Sequence, residues 1–251
     1  MLLPDIDQMM FAASASPKGQ QQFVANGTAG SMTQTLIVPA GVFSISAVAI
    51  SHERTGVCRI RRGTTDLLNT TDAIGTNNNG GGDGGSLGLT NGSGNPALAS
   101  AGGAGGYSGS GGNGGADGGI ANAGSPGAGG GGGGGAGARI TGSAYGGRGG
   151  GVGTRGQGAN GAGGTPLGAG SGAEGPGQPG SVKSGQFNFG AGAFASHGGN
   201  LRYRNSIPVT PGEALTITLS AQEAPNANGT GSAIRAIWGD GRSFPFNADD
   251  V

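Results

Sequence analysis

The chain has 251 residues, of which 64 are Gly, and its 13 basic and 13 acidic side chains leave a formal net charge of zero. Roughly a quarter Gly, against a usual ~7%, excludes an ordinary enzyme domain of this length. Collagen is excluded as well, because Gly175-Pro176-Gly177-Gln178-Pro179-Gly180 breaks any G-X-Y period. The neutral balance gives no electrostatic case for nucleic acid or an anionic membrane.

Residues 1–19 read as an attachment segment. Leu2, Leu3, Ile6, Met9, Met10 and Ala13 recur at helical spacing, and Pro4 and Asp5 suit a first helical turn. A helix of about ten residues is marginal alone, so the stripe formed by Leu3, Ile6, Met9 and Met10 needs a partner surface. A frayed terminus is the plainer reading. Asp5 and Asp7 stand where a secretory signal would be basic, so no signal peptide is expected. The longest apolar stretch, around Val38–Ile50, is interrupted by Pro39, Gly41, Ser44 and Ser46 and cannot span a bilayer.

Residues 20–251 read as one glycine-rich β-domain, with strands in 20–70 and 201–246 and a glycine-rich insert at 71–200. Gln20–Val24 and Thr33–Val38 are strand-like, and Pro39-Ala40-Gly41 forms a turn. Val42–Ile50 alternates, with Phe43, Ile45, Ala47 and Ala49 on one face and Val42, Ser44, Ser46, Val48 and Ile50 on the other. Apolar residues on both faces place this strand inside a sandwich. Val57–Arg62 and Thr64–Leu68 form a hairpin turning at Gly63. Leu201–Val209 leads into Thr210-Pro211-Gly212-Glu213, where Pro211 and Gly212 fit a type II turn. Leu215, Ile217 and Leu219 share the next face, and Ala233–Trp238 closes the pattern. The economical fold is all-β: a small β-sandwich built from both chain ends, with Trp238 in its core.

The insert holds 53 of the 64 Gly and eight charged residues. Disorder is the bland reading, because ordering a residue costs ~1–2 kcal/mol and Gly loses the most freedom. The sharper reading is a bundle of polyproline-II helices, the polyglycine packing in which bare backbones bond laterally. Near-zero charge, small accompanying residues and framing by two β-segments favour order.

The C-terminal residues carry a resemblance. Tyr203-Arg204-Asn205-Ser206-Ile207-Pro208-Val209-Thr210-Pro211-Gly212-Glu213 and Ala233-Ile234-Arg235-Ala236-Ile237-Trp238-Gly239-Asp240-Gly241-Arg242-Ser243-Phe244-Pro245 are similar to phrases of the glycine-rich domains of bacteriophage tail and tail-fibre (receptor-binding) proteins. Leu36–Ile50 resembles the start of that domain, although here His52–Thr71 intervenes before the Gly-rich part. The resemblance implies a virion component exposed on a tail, with packed polyglycine helices as platform and loops at the tip.

Catalytic chemistry is not expected. His52 and His197 lack a nucleophile partner, since strand alternation would point Ser51, His52 and Glu53 apart. The G-x-G-x-x-G matches follow from composition, and Gly111–Ala116 puts Ala where a calcium repeat needs Asp. The sequons at Asn26, Asn69, Asn91 and Asn228 are expected by chance. Cys58 stands alone, and no metal or cofactor is expected. Arg54, Arg59, Arg61 and Arg62 form either a basic patch or a solvated hairpin face. Tyr107 and Tyr145, isolated among Gly, are candidates to stack on a receptor, with Arg148 and Arg155 completing a polar tip.

The expected function is therefore a non-enzymatic bacteriophage virion protein, a tail-fibre or tail-tip component in host-surface attachment. The alternative is capsid decoration or a purely architectural role. Expected partners are other virion proteins through the N-terminal segment, a host-surface glycan or outer-membrane protein, and further copies of the chain, with no nucleic acid. The protein is expected to be made in the host cytoplasm and to end in the virion.

Overall fold

The computed structural model describes residues 17–25, 30–88, 99–117, 121–138, 145–166, 175–182, 188–193, 196–221, 231–239 and 241–248. The stripe of Leu3, Ile6, Met9 and Met10 lies outside them. The described strands are β1 (Gly19–Val24), β2 (Gly30–Ile37), β3 (Ser44–Ile50), β4 (Cys58–Arg62), β5 (Thr65–Asn69), β6 (Gly80–Gly82), β7 (Leu201–Pro208), β8 (Ala214–Ala221) and β9 (Ala233–Trp238).

These strands form two antiparallel sheets, one ordered β1-β9-β3-β7-β6 and the other β2-β8-β4-β5. Each sheet interleaves strands from the two chain ends, as the sequence predicts. β2 and β8 pair over their full length, setting Leu36 opposite Leu215 and Gln34 opposite Ile217. Between the sheets lies a core of Leu36, Ile45, Ala47, Ile60, Leu215, Ile217, Leu219 and Trp238, among others. Burying each large aliphatic side chain there contributes about 1.5–3 kcal/mol. The turn before β8 is type II: Glu213 N donates to Thr210 O at 2.9 Å, and Gly212 takes the required positive φ of 81°.

β3 is flanked on both sides, by β9 and β7, and covered on both faces. Ile45, Ala47 and Ala49 face the second sheet, whereas Val48 and Ile50 join Leu201, Ile237, Tyr107 and Phe189 in a second cluster. That cluster lies between the five-stranded sheet and the glycine-rich part. The expected alternation fails only at its start, where Val42 is buried and Phe43 is 67% exposed. Val42 N bonds back to Pro39 O, so the chain is still turning there and strand parity begins at Ser44. β6 is the strand the sequence did not predict. Its Gly-Gly-Gly carries no side-chain signal, and pairing with β7 alone defines it.

Beyond β6 the described glycine-rich segments bond to one another in steps of three. Gly85 and Gly88 donate to Gly103 and Ser100, Gly112 and Gly115 to Gly132 and Gly135, and Gly161 and Gly164 to Gly131 and Gly134. Three residues is the repeat of a polyproline-II helix. Segment 131–138 shows the consequence most fully. Its amides donate in rotation to Ala128, Ala104 and Gln178, then to Ser125, Ala101 and Gly175. Its carbonyls accept in rotation from Gly161, Gly112 and Gly150, then from Gly164, Gly115 and Gly147. Six different segments therefore surround it.

No Cβ fits in such a position. An added Cβ on Gly133 would lie 1.9 Å from Ala162 O, one on Gly132 2.0 Å from Gly150 O, and one on Gly134 2.0 Å from Asn113 O. Backbone polar groups that a hydrophobic core would leave orphaned are satisfied here by neighbouring backbone.

Candidate functional site

The glycine-rich segments alternate in direction. Gly88, Ala99, Asp117, Ala121, Ala138, Tyr145 and Gly175 accordingly gather at one end, and the turns at Tyr107, Gly129 and Thr154–Arg155 at the other. This topology separates the residues expected to form one tip. Tyr145 is 52% exposed at the first end, with half-buried Arg148 one repeat behind it. Arg155 is exposed at the second end, and the run from 145 to 152 spans about 20 Å at ~3.1 Å per residue. Neighbours in sequence are distant here because the chain runs nearly straight.

Tyr107 is a correction. It is 1% exposed and is not a surface aromatic. Its hydroxyl donates to Gly153 O at 3.0 Å and accepts from Gly156 N at 3.1 Å. Its ring stacks on Phe244, with centroids 5.9 Å apart, and lies 6.0 Å from Tyr203. Burial raises its phenol above the ordinary value. The Gly106–Gly109 turn aims the ring at the sheet, where aromatic partners outcompete water.

Residues of the two resembling phrases meet at this seam. Asn205 Nδ2 donates to Phe244 O at 2.7 Å, and its Oδ1 accepts from Phe244 N at 2.9 Å. Gln157 N, from the glycine body, donates to Pro245 O. Arg235, 1% exposed, donates to Gln20 Oε1, Thr154 O and Ala248 O. Burial, together with the neighbouring Arg242 charge, lowers it to about 10. These residues fasten the sheet to the glycine body, and sequence reading alone did not assign them that work.

Two arginines of the basic hairpin, Arg61 and Arg62, are paired with carboxylates. Arg61 Nε bonds Asp66 Oδ1 at 2.5 Å, Arg62 pairs with Glu213 and donates to Pro208 O, and Arg54 donates to Gly84 O. Arg59 borders a pocket with His52, Glu53 and Ser220. There the expectation that His52 and Glu53 point apart is overturned. His52 Nε2 lies 3.4 Å from Glu53 Oε1, and His52 Nδ1 lies 3.1 Å from Ser220 Oγ. Residues 52–55 form a turn, so strand alternation does not govern them. The row has the residue types of a hydrolytic triad, but the adjacent amides of Gly56 and Ser220 are bonded to Glu53 O and Val57 O. Cys58, fully buried beside Ser220, has its thiol raised by burial, so it is held in the unreactive form.

A separate cleft of about 300 Å³ lies between the 39–44 turn and the end of β9. Pro17, Phe43, Ser44, Ser206, Trp238 and Arg242 line it. On its wall β7 bulges against β3, the register shifting between Ile45 and Ala47, and Ser206 takes a left-handed φ of 53°. Ser206 N and Arg242 O both bond Ser46 Oγ, which holds the bulge in place.

Among the described residues no three His, Cys, Asp or Glu side chains assemble as a metal site, and no helix is long and apolar enough to cross a membrane. Comparison with protein-family models, with curated proteins and with solved structures finds no match to this chain.

Proposed function

We propose that the protein is a non-enzymatic bacteriophage virion component, a tail-fibre or tail-tip protein that takes part in host-surface attachment. The observation carrying this reading is the bonding of segment 131–138 to six neighbours in steps of three. We read the segments as polyproline-II-like helices packed side by side, forming a body that is stiff without an apolar core. A stiff body carrying segment ends away from the sandwich suits display of recognition residues. The likeness of Tyr203–Glu213 and Ala233–Pro245 to phage tail domains supports the same reading.

Tyr145 and Arg148 supply a ring and a guanidinium at the end opposite the Tyr107 turn, a pair suited to a surface glycan or the outer face of a membrane protein. The stripe of Leu3, Ile6, Met9 and Met10 serves as the mount on another virion protein. A purely architectural or capsid-decorating role draws support from a different observation, the exposed Ile37 and Phe43 on the sandwich.

Competition with particle adsorption tests the attachment reading. Purified protein is expected to bind host cells and to block adsorption, and Tyr145→Ala to weaken both. Absence of binding at micromolar concentration, with the protein located on the head in imaged particles, overturns attachment in favour of decoration.

A further inference from the structure

We propose that the apolar stripe of residues 1–16 seats in the cleft beside Phe43 and Trp238 of its own chain. Chain geometry is the first argument. Upstream of β1 the backbone is pinned between the two walls of the cleft. The Pro17 ring lies 3.3 Å from where a Cβ on Gly41 would stand, and Lys18 Cα lies 2.7 Å from the corresponding point on Gly239. Pro17 itself lines the cleft, so the sixteen residues before it depart from the cleft's own edge.

Chemistry is the second argument. Phe43, on the wall of the cleft, is 67% exposed, a large apolar side chain that nothing among the described residues covers. In the sequence of those sixteen residues Leu2, Leu3, Ile6, Met9 and Met10 recur at the spacing of one helical face. A helix of about ten residues is ~15 Å long, short enough to lie across the cleft. Two unbranched Met side chains also adapt to an irregular wall. Tethering settles which copy supplies the stripe: joined at Pro17, the segment meets its own cleft at a high effective concentration, which a second copy in dilute solution does not match. The seat concerns the free chain and does not depend on the virion reading.

Footprinting the full chain tests this. Phe43, Met9 and Met10 are expected to resist hydroxyl-radical oxidation in the wild type. Phe43 and Met10 are expected to lose that protection in Ile6→Asp/Met9→Asp. Trp238, the sole Trp, gives a second readout: its emission is expected to shift to the red and to quench faster with acrylamide in that variant. Phe43→Ala is expected to expose Met9 and Met10 without altering the strands. Equal oxidation of Phe43 in wild type and variant overturns the seat. Protection that disappears on dilution overturns it too, because the stripe would then come from a second copy.

Discussion

The sandwich and the glycine body solve the same problem in opposite ways. In the sandwich, ladders satisfy the backbone and interlocking aliphatic side chains such as Leu215 and Ile217 supply the driving force. In the body, side chains are nearly absent and backbone meets backbone on all sides, as around segment 131–138. Ordering a residue costs about 1–2 kcal/mol, whereas a hydrogen bond returns about 1 kcal/mol net. The body therefore depends on completeness: many close contacts and Cα–H···O approaches must form together. A core tolerates some change of shape, but a lattice of bare backbone tolerates almost no added atom.

The sharpest break of this comparison is Gly133→Leu. Its Cβ alone would stand 1.9 Å from Ala162 O, so loss of folding in the body, beyond about 4 kcal/mol, is expected in thermal unfolding. Ala123→Leu, on an exposed face of the same body, is expected to change stability by no more than about 0.5 kcal/mol. Similar melting of the two variants would remove segment 131–138 from the interior. The sandwich counterpart, Leu215→Ala, is expected to cost about 2–5 kcal/mol while leaving a folded chain, since a cavity relaxes partly.

Next in size is the seam. Tyr107→Phe strips a hydrogen bond from Gly153 O and from Gly156 N and is expected to cost about 1–3 kcal/mol by denaturant titration. Its pH signature has a definite sign. Burial keeps the phenol neutral in the folded chain, so the unfolded chain releases its proton first and stability falls as pH rises past the ordinary value of 10. Arg235, lowered to about 10, contributes a rise over the same range. The informative quantity is thus the difference between wild type and Tyr107→Phe, whose alkaline slope should be the less negative.

The smallest effect is at the surface. The Arg62 guanidinium holds the Glu213 carboxyl below its ordinary value. Its stabilisation is present above that ordinary value and is lost as pH falls through the folded one. With Arg62 43% exposed, solvent screening limits Glu213→Gln to about 0–1 kcal/mol at neutral pH. Added salt should shrink the difference, and a larger, salt-insensitive loss would mean that Glu213 acts through the Thr210 turn instead.

The strands that were legible carry side-chain patterns. β3, β8 and β9 announce themselves by apolar alternation, and the type II turn by Pro211 and Gly212, because those residue types fix local geometry or demand burial. β6 was illegible because Gly has no pattern to read. The candidate site was legible only in part. Tyr145 and Arg148 do share one end of the body. Tyr107 and Arg155 do not join them, because direction reverses at each turn and one aromatic is drawn under the sheet.

By itself, then, the amino-acid order determined that two β-rich ends must pair and that the intervening backbone could lie closer to its neighbours than any side chain allows. Only the tertiary structure decided which carbonyl each glycine amide meets, that Asn205 clasps Phe244, and that His52 lies between Ser220 and Glu53. Local composition sets what a backbone can tolerate nearby. Partners far apart along the chain are chosen by the packing of all the segments at once, and a repeat of nearly identical residues does not encode that choice locally.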